Sequence, residues 1–365
     1  MFERRLYFHV DWLLLGAILL LSAIGVTMIY SVTATAGGRA SGQVVTQFYA
    51  LGLGLIALLI CLAIDYRLLA EHSLFIYGSL LVLLIFVLVK GQTQMGGQRW
   101  IPIGPFHLQP SEFARIGVAL LLAMYFGENR RGAKNTSDLI LGGIFTAIPL
   151  ILIAKQPDLG TAVTLLPVFL GVAFLAGLRL RLLGVLALIG ILAAPIAWKF
   201  ALKDYQRSRI QMFIDPEQDP RGAGYQTIQA RVTVGSGGLT GKGFRQGTQG
   251  QYKFLPVAHN DFIFSVLAEE QGFIGVLTAL GLYLFVILRS LEAARLAKDR
   301  LGAYLVGGII SGFAFQVIYN VTMSAGLAPV KGITLPLMSY GGSSLIASLA
   351  SFGLILNVRM RRFTN

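Results

Sequence analysis

No residue between Trp12 and Tyr30 carries a charge, and nine further apolar runs follow along the chain. A helix needs about 20 predominantly apolar residues to cross a hydrocarbon layer, where only intrasegment hydrogen bonds can satisfy its backbone. The runs fall at 12–30, 46–64, 74–90, 112–127, 138–154, 160–177, 180–200, 262–288, 302–324 and 335–358. Charged residues make up 13% of the 365, against about 25% in a typical soluble domain. The pattern predicts an all-α polytopic membrane protein with about ten transmembrane helices, residues 1–365 forming one integral membrane domain.

The charges that remain are placed unevenly. Arg4, Arg5, Arg67, Arg130, Arg131, Lys134, Arg179 and Arg181 fall on one side of the predicted spans. Arg289, Arg295, Lys298, Arg300, Arg359, Arg361 and Arg362 join them there. The other side holds only Arg39, Lys90, Arg99, Lys155 and Lys331 outside its one long loop. Basic residues in short connections mark the cytoplasmic face. Both termini are therefore expected in the cytoplasm, and the 201–261 loop between helices 7 and 8 on the extracytoplasmic side. The net charge of +13 follows from the same rule. It forms no basic stripe, so nucleic acid is not an expected partner. The first apolar run is longer than the 7–15 residues of a signal-peptide core, which makes it an uncleaved helix. The single Cys61 allows no disulfide within the chain, and four scattered histidines lack zinc-ligand spacing.

Four polar motifs interrupt the apolar background. Gly96–Gly104 (GGQRWIPIG) and Gln109–Arg115 (QPSEFAR) read as a tight outer turn followed by a helix start. Arg99 and Arg115 there offer guanidinium groups suited to phosphate. Lys155–Gly160 (KQPDLG) is a second turn, in which Asp158 either caps the next helix or joins Lys155 in an outer site. Gly235–Gly243 (GSGGLTGKG) fails the phosphate-loop pattern at Ser236 and Gly243. It leaves a flexible backbone able to approach a ligand, with Lys242 and Arg245 nearby. Leu335–Ser344 (LPLMSYGGSS), preceded by Lys331 and containing Ser343, permits a broken or closely packed helix. Short surface helices are expected over 206–214 and 222–231. Asp261 lies where the long loop meets an apolar run, a placement that costs several kcal/mol unless water or a partner solvates it. It is either a helix cap or a functional acid, with His259 beside it. Of Glu269 and Glu270, one is expected to face a polar interior.

Together these motifs resemble the SEDS family (shape, elongation, division and sporulation) of bacterial cell-wall polymerases, over essentially the whole chain. The Asp215–Tyr225 stretch and Gly247-Thr-Gln249 resemble the elongation branch more than the division branch. Three positions depart from the family's pattern: Val257 stands where glutamate is common, Asn260 where threonine is usual, and Arg115 where lysine is frequent. The resemblance implies a peptidoglycan glycosyltransferase in the bacterial cytoplasmic membrane, with its active site on the extracytoplasmic face. It further implies lipid II as substrate, a class B penicillin-binding protein (a transpeptidase) as partner, and Asp261 as the essential aspartate.

Joining a sugar hydroxyl to an anomeric carbon needs a base, and a positioned carboxylate is worth about 10²–10⁴-fold. Asp261 is the candidate, in an inverting displacement. Arg99, Arg115, Lys155 and Lys242 are candidates to stabilise the departing pyrophosphate, and Asp158, His259, Lys331 and Ser343 to complete the substrate site. No metal-ligand cage is evident, so a divalent cation (Mg or Mn) stays open as a cofactor. Two rival readings fit the composition: a lipid II flippase or transporter, and a non-catalytic scaffold of the elongation complex.

Overall fold

A computed structural model describes residues 9–34, 39–94, 97–103, 106–128, 136–179, 224–252 and 254–363, with scattered positions between 181 and 215. The order is α1 (Trp12–Thr33), α2 (Gly42–Ala63), α3 (Tyr66–Glu71), α4 (Ser73–Lys90), then β1 (Gln92–Gln94), β2 (Gly97–Ile103) and β3 (Phe106–Leu108). A 3₁₀ turn (Pro110–Phe113) leads into α5 (Ala114–Glu128), α6 (Thr136–Lys155) and α7 (Leu159–Leu175). Within the long loop lie α8 (Tyr225–Gly235) and α9 (Thr248–Gln251), and after it come α10 (Ile263–Arg295), α11 (Arg300–Ser324) and α12 (Gly342–Met360).

Seven of these helices are long and apolar enough to cross a membrane: α1, α2, α4, α6, α10, α11 and α12. The chain is thus a mostly helical, multi-pass membrane protein. The runs expected as the fourth and sixth spans are helical, as α5 and α7, but with 15 and 17 residues they are shorter than those seven. The expected seventh, over 180–200, lies almost entirely outside the described residues; of the surface helix expected over 206–214, positions 207 and 211–214 are described, and these are helical. The last helix starts at Gly342 rather than at 335, because Pro336–Tyr340 forms a turn in which Leu337 adopts φ 70°. The helix expected over 222–231 is α8, shifted to begin at Tyr225.

One element is not helical at all. β1, β2 and β3 form a three-stranded antiparallel sheet in sequence order, with Gln92 opposite Trp100 and Pro102 opposite His107. Gln92–Gln94 is all polar, Gly97–Ile103 passes from polar to apolar, and Phe106–Leu108 alternates, so a small sheet stands inside a chain read as all-α.

Side-chain caps explain several helix starts. Asp11, Ser41, Asp65, Asp158 and Asp299 each accept a hydrogen bond from a first-turn N–H. The far end of α2 is closed by α12, which packs along it. Asn357 Nδ2 donates to the carbonyls of Cys61, Leu62 and Ile64, groups that a helix C-terminus leaves without internal partners. At the same end, Asp11 Oδ2 accepts from Arg289 Nε (2.8 Å) and forms an ion pair with Arg359 Nε (3.0 Å), tying α1, α10 and α12 together. One large apolar core runs through the bundle, with α11 against α5 and α7, and α10 against α1 and α11. A second, small core of Ala230, Leu255, Ala258, Phe262, Val266 and Met323 lies under the segment that carries Asp261.

Candidate active site

Asp261 is half-buried and ends a run of turns that feeds α10. Its peptide is held on three successive carbonyls. His259 O accepts from Tyr340 N (2.9 Å), Asn260 O from Ser339 Oγ (2.6 Å), and Asp261 O from Asn320 Nδ2 (2.9 Å). The same Asn320 nitrogen also donates to Ile333 O at 2.7 Å. Asp261 is therefore set beside the irregular segment 331–335. A Cβ on Gly332, whose φ is 66°, would stand 3.5 Å from Asp261 Oδ2. On its other side this segment meets α7, where a Cβ on Gly160 would stand 2.6 Å from Lys331 O. Bare glycine backbone at both positions lets the three pieces meet.

The start of α7 leads into a polar network. Asp158, 3% exposed, caps Thr161 N at 3.3 Å, accepts from Gln109 Nε2 at 2.8 Å and pairs with Arg99 Nη1 at 3.2 Å. The β-sheet supplies Arg99 from β2, a placement that a simple turn would not give. Ser343 Oγ accepts from Gln109 N (2.9 Å) and donates to His107 O (3.1 Å), and Ser344 and Thr334 hydroxyls lie 3.1 Å apart. Arg99, Asp158 and Ser343 are thus brought together, and Lys331 and Asp261 adjoin them through the 331–335 segment.

Arg115 is used differently from the sequence expectation. It is 9% exposed, pairs with Glu112 Oε2 at 2.6 Å and donates to Gln316 Oε1, so its guanidinium is engaged inside the helix bundle. Lys155 is exposed at the last position of α6. The ring of His259 meets that of Tyr340 edge-on at 5.5 Å, and burial pushes its pKa below the usual histidine value.

The glycine-rich motif also has another job. α10 is broken at Gly272 (φ 64°, ψ −162°), and the loop 237–243 supplies the hydrogen bonds lost there. Lys242 N and Gly243 N donate to Glu269 O and Glu270 O at 3.0 Å each. Phe273 N and Ile274 N donate to Gly238 O (2.9 Å) and Leu239 O (3.2 Å). Side chains would block this docking: a Cβ on Gly237 would lie 1.9 Å from Ala268 O, and one on Gly241 2.2 Å from Glu270 O. Lys242 Nζ meets Glu269 Oε1 at 2.6 Å, and that oxygen also accepts from Thr248 N (2.8 Å) and Gln249 N (3.1 Å). Glu270 accepts from Ser31 of α1. Both glutamates face polar partners inside the fold, where only one was expected to.

Asn320, Ser339, Gln109 and Gln316 were not singled out from the sequence. A usable signal existed for two of them: Gln316 and Asn320 sit four residues apart within an apolar run, which places them on one helix face. Among the described residues, no group of three or more His, Cys, Asp or Glu side chains gathers to hold a metal ion.

The arrangement defines a class. Residues 11–363 match the FtsW/RodA/SpoVE family, described as cell cycle protein, and the chain belongs to that family. Among its relatives is the peptidoglycan glycosyltransferase MrdB of Escherichia coli (strain K12), 38% identical over 356 residues, which cover 97% of this chain and 94% of the relative. A solved chain from a peptidoglycan synthase complex that coordinates polymerization and crosslinking is 35% identical, with a TM-score of 0.84 over 98% of this chain and 99% of that one. The rod shape determining protein RodA of Thermus thermophilus is 31% identical, with a TM-score of 0.73 over 98% of each chain.

Proposed function

We propose that this protein is a peptidoglycan glycosyltransferase that polymerises lipid II during cell elongation, with Asp261 as general base. The observation that carries the base assignment is the placement of Asp261: a half-buried carboxylate on a clamped peptide, beside the 331–335 segment that in turn meets the Lys155–Gly160 turn. Its carboxylate takes the proton of the attacking sugar hydroxyl as that oxygen bonds to the anomeric carbon. The bond from that carbon to the lipid pyrophosphate breaks, its electron pair leaves with the phosphate, and the anomeric centre inverts. A pyrophosphate departs readily, so no second carboxylic acid is required.

Developing negative charge falls to cations near the mouth of the site. Arg99 serves from the sheet while Asp158 fixes its orientation, with Lys331 beside Asp261 and Lys155 at the rim. Lys242 acts at a distance by securing the broken helix. In this reading the topology is ten spans with both termini cytoplasmic and the 201–261 loop outside. The enzyme sits in the bacterial cytoplasmic membrane and works on its outer face. The partner is a class B penicillin-binding protein, which cross-links the strands this chain extends.

The test is polymerisation of lipid II by the purified protein with its transpeptidase partner, products resolved on a gel. Asp261→Ala should abolish long glycan while binding lipid II. Normal glycan from that variant rejects the base, and scrambling of labelled lipid II in liposomes without polymer rejects the polymerase.

A further inference from the structure

Asn320 and Ser339 lie deep in the protein, 0% and 5% exposed, yet their polar atoms are aimed at the backbone that carries Asp261. One Asn320 nitrogen joins Asp261 O to Ile333 O, at 2.9 and 2.7 Å. It therefore fixes the spacing between the aspartate and the segment whose Gly332 backbone borders the Asp261 carboxylate. Ser339 Oγ accepts from Leu335 N (2.8 Å) and donates to Asn260 O (2.6 Å), joining the same two strips of chain one residue away. The clamped peptide is not relaxed. Val257, which accepts from Asn260 N at 3.0 Å, has φ 54°, a left-handed conformation that a β-branched residue adopts only when its surroundings impose it. Helix-helix packing alone asks for neither side chain, since apolar residues of similar size would fill both places.

We propose that Asn320 and Ser339 are positioning residues that hold the Asp261 carboxylate in register with the 331–335 segment, and so set the turnover rate rather than substrate affinity. This rests on the assignment of Asp261 as the base. Displacing a catalytic group by about 1 Å costs on the order of 10²-fold in rate, whereas Arg99, paired with Asp158, and Lys155, at the end of α6, are left in place to bind. The two residues approach from different elements, α11 and the turn before α12, yet they brace one peptide. Their loss should have the same kinetic signature.

The experiment is steady-state polymerisation of lipid II by the wild type, Asn320→Ala, Asn320→Asp, Ser339→Ala and Asp261→Ala. Each protein is purified with its transpeptidase partner, and rates are normalised to folded protein by size-exclusion and thermal unfolding. Asn320→Asp keeps the shape and removes both donors. The expected result is kcat at least tenfold lower for Asn320→Ala, Asn320→Asp and Ser339→Ala, with KM within about twofold. Were Asn320→Ala not to fold, Ser339→Ala is read by the same criterion. The proposal is overturned if kcat per folded molecule stays within twofold of wild type, or if KM rises at constant kcat, while Asp261→Ala is inactive. An active Asp261→Ala instead removes the base assignment, and the proposal with it.

Discussion

Replacing Glu269 with alanine should strike the fold harder than replacing the lysine it pairs with. Glu269 is fully buried, and its Oε1 gathers Lys242 Nζ, Thr248 N and Oγ1, and Gln249 N within 3.1 Å. Its removal strands two backbone donors at the start of α9 and a lysine that is 28% exposed. Leaving those two backbone donors without a partner costs about 1–3 kcal/mol each, or about 3–5 kcal/mol together in the middle of that range. Lys242→Ala leaves the carboxylate with its two backbone donors, and the loss is one charged hydrogen bond, about 1.5–3 kcal/mol. At the low end of about 2–4 °C per kcal/mol, the glutamate variant should lose about 6–10 °C of apparent melting temperature and the lysine variant about 3–6 °C. Thermal unfolding in detergent measures both. The double variant should lose little more than Glu269→Ala alone, because the two residues act on one oxygen. Simple additivity, or a Glu269→Ala variant within 1 °C of wild type, would refute the account of the loop as a clasp on the broken helix.

Two further outcomes follow from the same geometry. Gly272→Ala should prevent the loop from docking. Its φ is 64°, and a Cβ there would stand 2.2 Å from Gly241 N, so size-exclusion should show loss of the monodisperse peak. His259, whose folded pKa burial depresses, should make stability fall with acidification. The unfolded chain takes up this proton first, so the stabilisation is fully present above the ordinary histidine value of about 6.5 and is lost as pH drops toward the folded value. His259→Gln should flatten the melting temperature between pH 7.5 and 5.5, and an unchanged slope counts against a buried neutral imidazole.

The helices were legible because hydrophobic runs of this length admit few other structures, and their ends were legible where Asp or Ser caps stood in the chain. The sheet was not: two of its strands have three residues each, and the seven of Gly97–Ile103 carry no alternation of polar and apolar side chains to betray a strand. Site residues fared unequally for a related reason. Asp261 and Asp158 stood out because charge near an apolar run is costly. The cations at 115 and 242 were read as ligand-facing because a sequence does not reveal which carboxylate will claim them. The glycine-rich motif showed that backbone would come close to something, but only the fold reveals that the something is another part of the chain. Asn320 and Ser339 escaped because their work is done on main-chain atoms, which carry no sequence identity.

The interruption at Gly272 also settles a question of reach. An unbroken helix of the 33 residues in α10 would run about 50 Å, far longer than the roughly 30 Å of a hydrocarbon layer. Ending the continuous rod at Phe273 leaves about 34 Å down to Arg295, a fair match with slight tilt. The short piece above it, anchored by its own clasp, is relieved of any duty to span. It can be oriented by the needs of Asp261 instead of by the thickness of the lipid.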